Sequence, residues 1–361
     1  MLIVDGHEDI AWNMQQFKRD YLRSAAETRA IEAGSNVPEQ NGNTLLGWPD
    51  WLKGQVAVVF ATLFAVPQRH ITGPWETVFY KDQDEAACLY WEQLDLYHRW
   101  AEENPEKFRL IGSRKDLAEV LASWSKDPLE PLIGLVPLME GADAVLKPDR
   151  LVEWYEQGLR IVGLAWSGTA YAGGTREPGP ISPAGFDLMD IMADLGLVLD
   201  ISHLSEEGCL QALDHYPGTV IASHGNPAAL ISNSDTPERH FTDEVIRRLA
   251  ERGGVVGVTI YNRFLRGDWK RKDGRQEFSL DNVAEHIDYI CQKTGSAVYV
   301  GLGSDFDGGL GVEDTPADLD TVADLQLIGN RLEGRGFSSQ DIEAVLGKNW
   351  LNLLEQSLPE K

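Results

Sequence analysis

The sequence predicts a closed (β/α)8 TIM barrel, and three observations carry that prediction. Eight short runs are apolar on successive rather than alternate residues, as in strands buried on both faces of a parallel sheet. Helical stretches separate most of these runs, the alternation expected of βα units. No Gly-rich dinucleotide fingerprint follows any run, which counts against a doubly wound sheet. No linker divides the chain, so one domain over residues 1–361 is expected.

The first strand covers residues 2–4 and leads into Asp5-Gly6-His7-Glu8-Asp9. Side chains at i and i+2 of an extended chain share a face, so His7 and Asp9 can grip one cation together. Residues 11–54, broken by Gly34-Ser35-Asn36-Val37-Pro38 and Asn41-Gly42-Asn43, read as a long loop serving as a lid or substrate wall. Residues 55–64 (QVAVVFATLF) form the second strand. Residues 82–104 place Ala86, Ala87, Leu89, Tyr90, Leu94 and Tyr97 at helical spacing. The third strand, 132–139, ends on Glu140-Gly141. A helix over 148–159 precedes the fourth strand, 160–165, which ends at Trp166. After a Gly/Pro-rich loop at 173–185, a helix carrying Phe186, Leu188, Met189, Ile191 and Met192 leads to the fifth strand, 197–202, which delivers His203. A helix over 206–215 and the sixth strand, 219–223, deliver His224. A helix over 245–252 and the seventh strand, 255–260, lead to Tyr261-Asn262. A helix over 279–294 and the eighth strand, 298–303, end at Ser304-Asp305-Phe306-Asp307-Gly308. A capped helical segment at about 338–356 closes the domain.

Hydrophobic residues at 43% are enough for a sizeable core. With Lys+Arg 32 against Asp+Glu 57, the net charge of −25 repels phosphate backbones and anionic membrane surfaces, so neither nucleic acid nor membrane is an expected partner. Cys88, Cys209 and Cys291 are odd in number, widely spaced and without metal-binding spacing, as suits a reducing compartment. No basic, apolar leader opens the chain, and no run approaches the roughly 20 apolar residues of a membrane span. A cytoplasmic protein is expected.

His7, Asp9, Glu140, His203, His224 and Asp305 fall at the ends of strands one, three, five, six and eight. In a barrel those ends form the single face where active sites are built. Three imidazoles and several carboxylates suit a two-metal site, with His7 and Asp9 on one ion, His203 and His224 on the other, and Glu140 bridging. Two such ions can share a hydroxide formed at neutral pH, and Asp305 remains to take its proton and pass it on.

Asp5-Gly6-His7-x-Asp9, Glu140-Gly141, Asp200-Ile201-Ser202-His203, Ser223-His224 and Gly303-Ser304-Asp305-Phe306-Asp307-Gly308 together resemble the membrane (renal) dipeptidase family, peptidase family M19. The resemblance runs to Gly347-Lys348-Asn349-Trp350-Leu351, similar to the family's Gly-x-Asn-Phe-Leu stretch. It implies a barrel of the metal-dependent hydrolase type that uses two zinc ions, or another divalent metal, to hydrolyse dipeptides, often with a D-residue at the C-terminal position. It assigns His7, Asp9, Glu140, His203 and His224 as ligands, Asp305 as the catalytic acid/base, and Arg239 as the residue that holds the substrate carboxylate. A guanidinium suits that task because its planar fork binds carboxylate bidentately. A homodimer is compatible with the resemblance. One position departs from it: Trp166 stands where family members typically carry a histidine that binds the scissile carbonyl. Indole N–H donates a hydrogen bond but cannot become cationic. Two alternatives therefore stay open, a hydrolase of another small amide, lactam or ester, and a barrel that holds metal without turnover. Tyr261 is a further candidate for substrate contact.

Overall fold

The computed structural model describes residues 1–125 and 131–361. Eight parallel strands form the barrel: β1 Ile3–Glu8, β2 Val56–Leu63, β3 Ile133–Glu140, β4 Ile161–Gly163, β5 Val198–Asp200, β6 Val220–Ile221, β7 Val256–Val258 and β8 Val300–Leu302. Their order around the wall is β6-β5-β4-β3-β2-β1-β8-β7. Closure between β6 and β7 rests on the Ala222–Val256 bridge, with Ala222 N donating to Val255 O (3.0 Å) and Gly257 N to Ala222 O (2.8 Å). The ladders from β4 to β8 are shorter than the apolar runs that predicted them: the runs include buried residues flanking the ladders, and Val298 and Tyr299, read as the start of the eighth strand, lie in a 3-10 turn over Ala297–Tyr299 where Val298 is 50% exposed.

The wall is drawn tightest where β1, β6, β7 and β8 meet. A Cβ at Gly257 or Gly303 would lie 2.0 or 1.9 Å from the Ser223 carbonyl oxygen, and one at Gly6 would lie 2.7 Å from it. Glycine at these three positions lets the backbones approach around one carbonyl. That approach brings the His7 and His224 rings to a centroid distance of 3.7 Å.

Beneath the barrel sits the C-terminal segment. It is built as Ser339–Glu343, one π-helical turn over Ala344–Lys348, and Asn349–Ser357, rather than as one regular helix. Ser338 caps its start in a capping box with Asp341. Trp350 is fully buried, donates through Nε1 to Leu302 O (2.9 Å) and packs against Phe60 at 5.1 Å. Asn349 Nδ2 donates to Ala297 O and Val300 O, both at 2.7 Å. Truncating such a buried Trp to Ala costs about 3–5 kcal/mol, so the Asn349-Trp350 pair is a plug that holds the bottom of the barrel.

Residues 11–54, read from the sequence as a loop, contain helices: Ile10–Gln16 runs into this stretch, and Ala25–Glu32, Val37–Gln40 and Trp48–Gly54 lie within it. Each is too short and too interrupted to leave a periodic signal. What orders the excursion is a contact from the other end of the chain. Asp307 accepts from Arg19 Nη1 (2.9 Å), Tyr21 OH (2.6 Å), Thr44 Oγ1 (2.5 Å) and Leu45 N (3.0 Å). Arg19 in turn holds Glu32 and the Gly42 carbonyl. The helix Arg114–Ser125 is a further element that the sequence reading passed over, and residues 173–185, read as a loop, hold most of an antiparallel pair of Ala172–Gly174 with Glu177–Ile181 and the start of the helix Pro183–Leu195. Among the described residues, no helix is long and apolar enough to cross a membrane.

Candidate active site

Two buried aspartates set the rim before any functional side chain is placed. Asp5 Oδ1 accepts from Ser304 N (2.7 Å) and His7 N (3.4 Å), tying β1 to β8. Asp200 Oδ1 accepts from Ser202 N and Ser223 N, both at 2.9 Å, tying β5 to β6. The chain then turns sharply: His203 (φ 68°) and Asp305 (φ 65°) both adopt the left-handed region. For side chains other than glycine this costs about 1–3 kcal/mol each and is tolerated where a site over-determines it.

The six polar residues picked out at strand ends converge. His7 Nε2 lies 3.7 Å from Asp9 Oδ2, 3.6 Å from Glu140 Oε2 and 4.0 Å from Asp305 Oδ1. Glu140 Oε1 lies 2.8 Å from His203 Nε2 and 3.6 Å from His224 Nε2, and those two imidazole nitrogens are 3.0 Å apart. Glu140 is thus central, with one oxygen toward each side of the cluster.

The surrounding hydrogen bonds aim these groups inward. Ser223 Oγ donates to Asp200 Oδ2 (2.5 Å), so toward His224 Nδ1, at 2.9 Å, it can only accept. His224 therefore carries its proton on Nδ1 and turns the Nε2 lone pair to the cluster, the orientation of a metal ligand. Thr175 Oγ1 stands 3.0 Å from His203 Nδ1, and Thr62 Oγ1 donates to Asp9 Oδ1 at 2.6 Å, leaving Oδ2 free.

Charge in the cluster is unbalanced. Burial would lower His7, but Glu140, Asp9 and Asp305 overcome it and raise it to about 10. Burial and Glu140 raise Asp9 to about 7. Burial, with Asp9 and Glu140 nearby, pushes Asp305 well above the usual carboxylate range. Burial also pushes Glu140 up, yet His7 and His203 hold it below its ordinary value. Burial lowers His203 to about 4, helped by Arg239, and takes His224 well below 6.5. Three sheltered carboxylates crowd together, while His7 Nε2 is buried with no hydrogen-bond partner. A divalent cation would satisfy both conditions, and two ligand groups, His7–Glu140–His224 and His7–Asp9–Asp305, have donor atoms close enough to hold one. Gly308 keeps the space open, since a Cβ there would stand 2.3 Å from Asp305 Oδ1 and 2.5 Å from Asp9 Oδ2.

A cavity of about 270 Å³ opens over this cluster. Arg239 lines it fully buried, donating Nη2 to His224 O (3.1 Å) while Nε and Nη1 have no partner. Its guanidinium lies over Phe264 at 5.3 Å, and Tyr261 packs on the same ring at 5.1 Å. Trp166 also lines the cavity, 5.2 Å from Phe64, 5.9 Å from His70 and 6.1 Å from His203 between ring centroids. Sequence reasoning missed His70, Thr175 and Gly308 at this site. Gly308 closed a motif already singled out, whereas Thr175 and His70 lie in loops with no local signal.

Residues 1–359 match the membrane dipeptidase family, peptidase family M19. An uncharacterized dipeptidase of Schizosaccharomyces pombe, C965.12, is 32% identical over 98% of this chain and 80% of its own. An uncharacterized protein of Klebsiella pneumoniae, from the pqqA 5' region, is 29% identical over 74% of this chain and 95% of its own. The crystal structure of a metallopeptidase from Rhodobacter sphaeroides, liganded with a phosphinate mimic of the dipeptide L-Ala-D-Ala, superposes with a TM-score of 0.77 at 23% identity, covering 99% of both chains. That superposition establishes a common fold, and the match along almost the entire length makes this chain a member of the M19 family of metallo-dipeptidases.

Proposed function

We propose that the rim cluster holds two zinc ions and that the protein hydrolyses dipeptides bearing a free C-terminal carboxylate. The observation that carries the reading is the buried His7 Nε2, without a hydrogen-bond partner, with oxygens of three carboxylates within 4.0 Å of it. His7, Asp9, Glu140, His203 and His224 are the proposed ligands, with Glu140 shared. When bound, the ions supply Lewis acidity, polarising the scissile carbonyl and acidifying water.

The remaining work falls to side chains. Arg239 offers two unpartnered N–H groups from a buried cation, a counterpart for the substrate carboxylate. Tyr261 and Phe264 wall that end of the cavity. Asp305 takes a proton as water adds to the carbonyl and returns it to the leaving amine as the C–N bond breaks. The Trp166 indole N–H is the proposed donor at the position of the family's histidine. The L-Ala-D-Ala mimic bound by the Rhodobacter relative extends the proposal to D-residues at the C-terminal position.

Elemental analysis coupled to hydrolysis of L,L and L,D dipeptides, with and without chelator, tests this reading. About two zinc ions per chain with chelator-sensitive cleavage is expected. Two ions without cleavage of any dipeptide would move the substrate elsewhere, and absence of bound metal would sink the proposal.

A further inference from the structure

The cavity has two ends, and only one is accounted for by the carboxylate anchor. Arg239 follows β6, and Tyr261 and Phe264 follow β7. Trp75 and Glu76 follow β2, which lies four places from β6 in the eight-strand ring and so faces it across the barrel. A chain of rings leads outward along the β2 side: Trp166 to Phe64 at 5.2 Å, Phe64 to Trp12 at 6.3 Å, Trp12 to Phe17 at 5.6 Å, and Phe17 stacked on Trp75 at 5.7 Å. Glu76, next in sequence to Trp75, lines the cavity on this side.

Glu76 is unusual among the cavity's carboxylates. It is 93% buried (7% exposed), yet no Lys, Arg or His pairs with it among the described residues. Asp9, Glu140 and Asp305 belong to the rim cluster, and Asp235 is paired with Arg263. Glu76 lines the cavity; its Oε2 accepts from Thr72 N (2.8 Å) and Thr72 Oγ1 (3.3 Å), and no protein group donates to Oε1 among the described residues. Two of the other basic side chains on this side are already committed. Arg69 and His70 both hold Glu177, and exposed Arg176 lies over the Trp166 ring at 5.8 Å. Burial raises the Glu76 pKa, and the hydrogen bonds from Thr72, followed by the charge of Arg176, offset that only in part.

The loop that carries Glu76 is built to stay in place. Gln16 Nε2 donates to Trp75 O (2.5 Å), and Gln16 Oε1 accepts from Thr77 N and Val78 N, both at 2.9 Å. A buried carboxylate fixed at the end of an aromatic-walled slot matches a long apolar stem with a cationic tip.

We propose that Glu76 determines specificity, and that the protein prefers dipeptides whose N-terminal residue carries a basic side chain, its ammonium or guanidinium received by Glu76 Oε1. This rests on the dipeptidase reading above, with Arg239 holding the opposite end of the substrate. Charge-assisted hydrogen bonds at a desolvated site make the expected preference about 10- to 100-fold in kcat/KM over a neutral side chain of similar length.

The test is steady-state kinetics of the zinc-loaded, full-length protein on lysyl, arginyl, norleucyl, leucyl and glutamyl dipeptides sharing one C-terminal residue. Lysyl over norleucyl isolates the charge on the substrate without altering the protein, so it stands even where a variant fails to fold. The expected result is a lysyl/norleucyl ratio of about 10 or more. Glu76→Gln should reduce that ratio about tenfold, mainly through KM, and Glu76→Lys should invert it toward the glutamyl substrate. Cleavage of norleucyl and lysyl dipeptides at equal efficiency would overturn the assignment of Glu76 while leaving the dipeptidase reading intact. Failure to cleave any of the five would overturn both.

Discussion

Asp305 and Asp307 stand two residues apart on one loop, both with left-handed backbone (φ 65° and 63°), and their surroundings could hardly differ more. Asp307 is surrounded by donors that the chain itself supplies: a guanidinium, a phenol, a hydroxyl and a backbone N–H. Asp305 faces Asp9, Glu140 and a histidine that all three carboxylates compete for. Asp307 is fully buried and the Asp305 side chain is 14% exposed, so withdrawal from water costs both, and Asp307 more. The difference is that the hub around Asp307 brings its own cation and is complete at folding, whereas the cluster around Asp305 is short of positive charge and is completed by something that binds.

Asp305→Asn should give the largest effect and should separate the two regions most cleanly. The amide keeps the shape but cannot accept and return a proton. A fall in kcat/KM of about 10²–10⁴ is therefore expected. Metal-free stability should be unchanged or slightly higher, because one of the repelling carboxylates is gone. A variant with near-normal turnover, or one that unfolds without metal, would contradict this contrast.

Arg19→Met probes the other region and should behave in the opposite way. It leaves Asp307 buried and without its cation, a change that typically costs about 3–5 kcal/mol. Urea unfolding with and without zinc should show that loss in both states, because the pair lies outside the metal cluster. Activity per folded molecule should fall far less than in Asp305→Asn. If Arg19→Met were as stable as the parent, the hub would not be what orders residues 11–54.

The two regions also differed in how legibly the sequence announced them. His7, Asp9, Glu140, His203, His224 and Asp305 each follow an apolar run within a few residues, and a parallel barrel gathers strand ends onto one rim, so their convergence followed from order alone. Arg239 was legible only through the family resemblance, since a single arginine in a loop has no periodicity to betray it. Arg19 and Asp307 lie 288 residues apart and belong to no local pattern. Their pairing depends on how the excursion folds back over the rim, which is a property of packing. The helix Arg114–Ser125 is a different case: Leu117, Val120, Leu121 and Trp124 do show helical spacing, and that signal was simply passed over.

Ser223→Ala sharpens the comparison by asking how far the cluster is organised before metal arrives. The substitution removes the hydroxyl that donates to Asp200 and orients His224. Loss of such a supporting hydrogen bond commonly weakens metal affinity 10- to 100-fold. Competition with a chromophoric chelator should register that loss, while Arg19→Met should not change it. Equal zinc affinity in Ser223→Ala and the parent would mean that His224 is held by packing alone.

The smallest expected effect lies at the partly exposed pair beside His70, where Arg69 Nη2 and Glu177 Oε2 are 2.7 Å apart with side chains 46% and 34% exposed. Here water screens a pair that has nearly the geometry of the buried hub, so Glu177→Gln should cost no more than about 1 kcal/mol at pH 7. The pH dependence has a definite sign. The hydrogen bond from Arg69 dominates and lowers Glu177 to about 2 in the folded protein, below the 4.5 of an unperturbed glutamate. The pair therefore contributes above about pH 4.5, and its contribution fades as pH falls toward 2. The gap in unfolding free energy between parent and Glu177→Gln should accordingly narrow between pH 5 and pH 3. A gap that widened over that range would mean that the interaction is made by the protonated acid. At Asp305, by contrast, burial and the neighbouring carboxylates do favour the protonated acid.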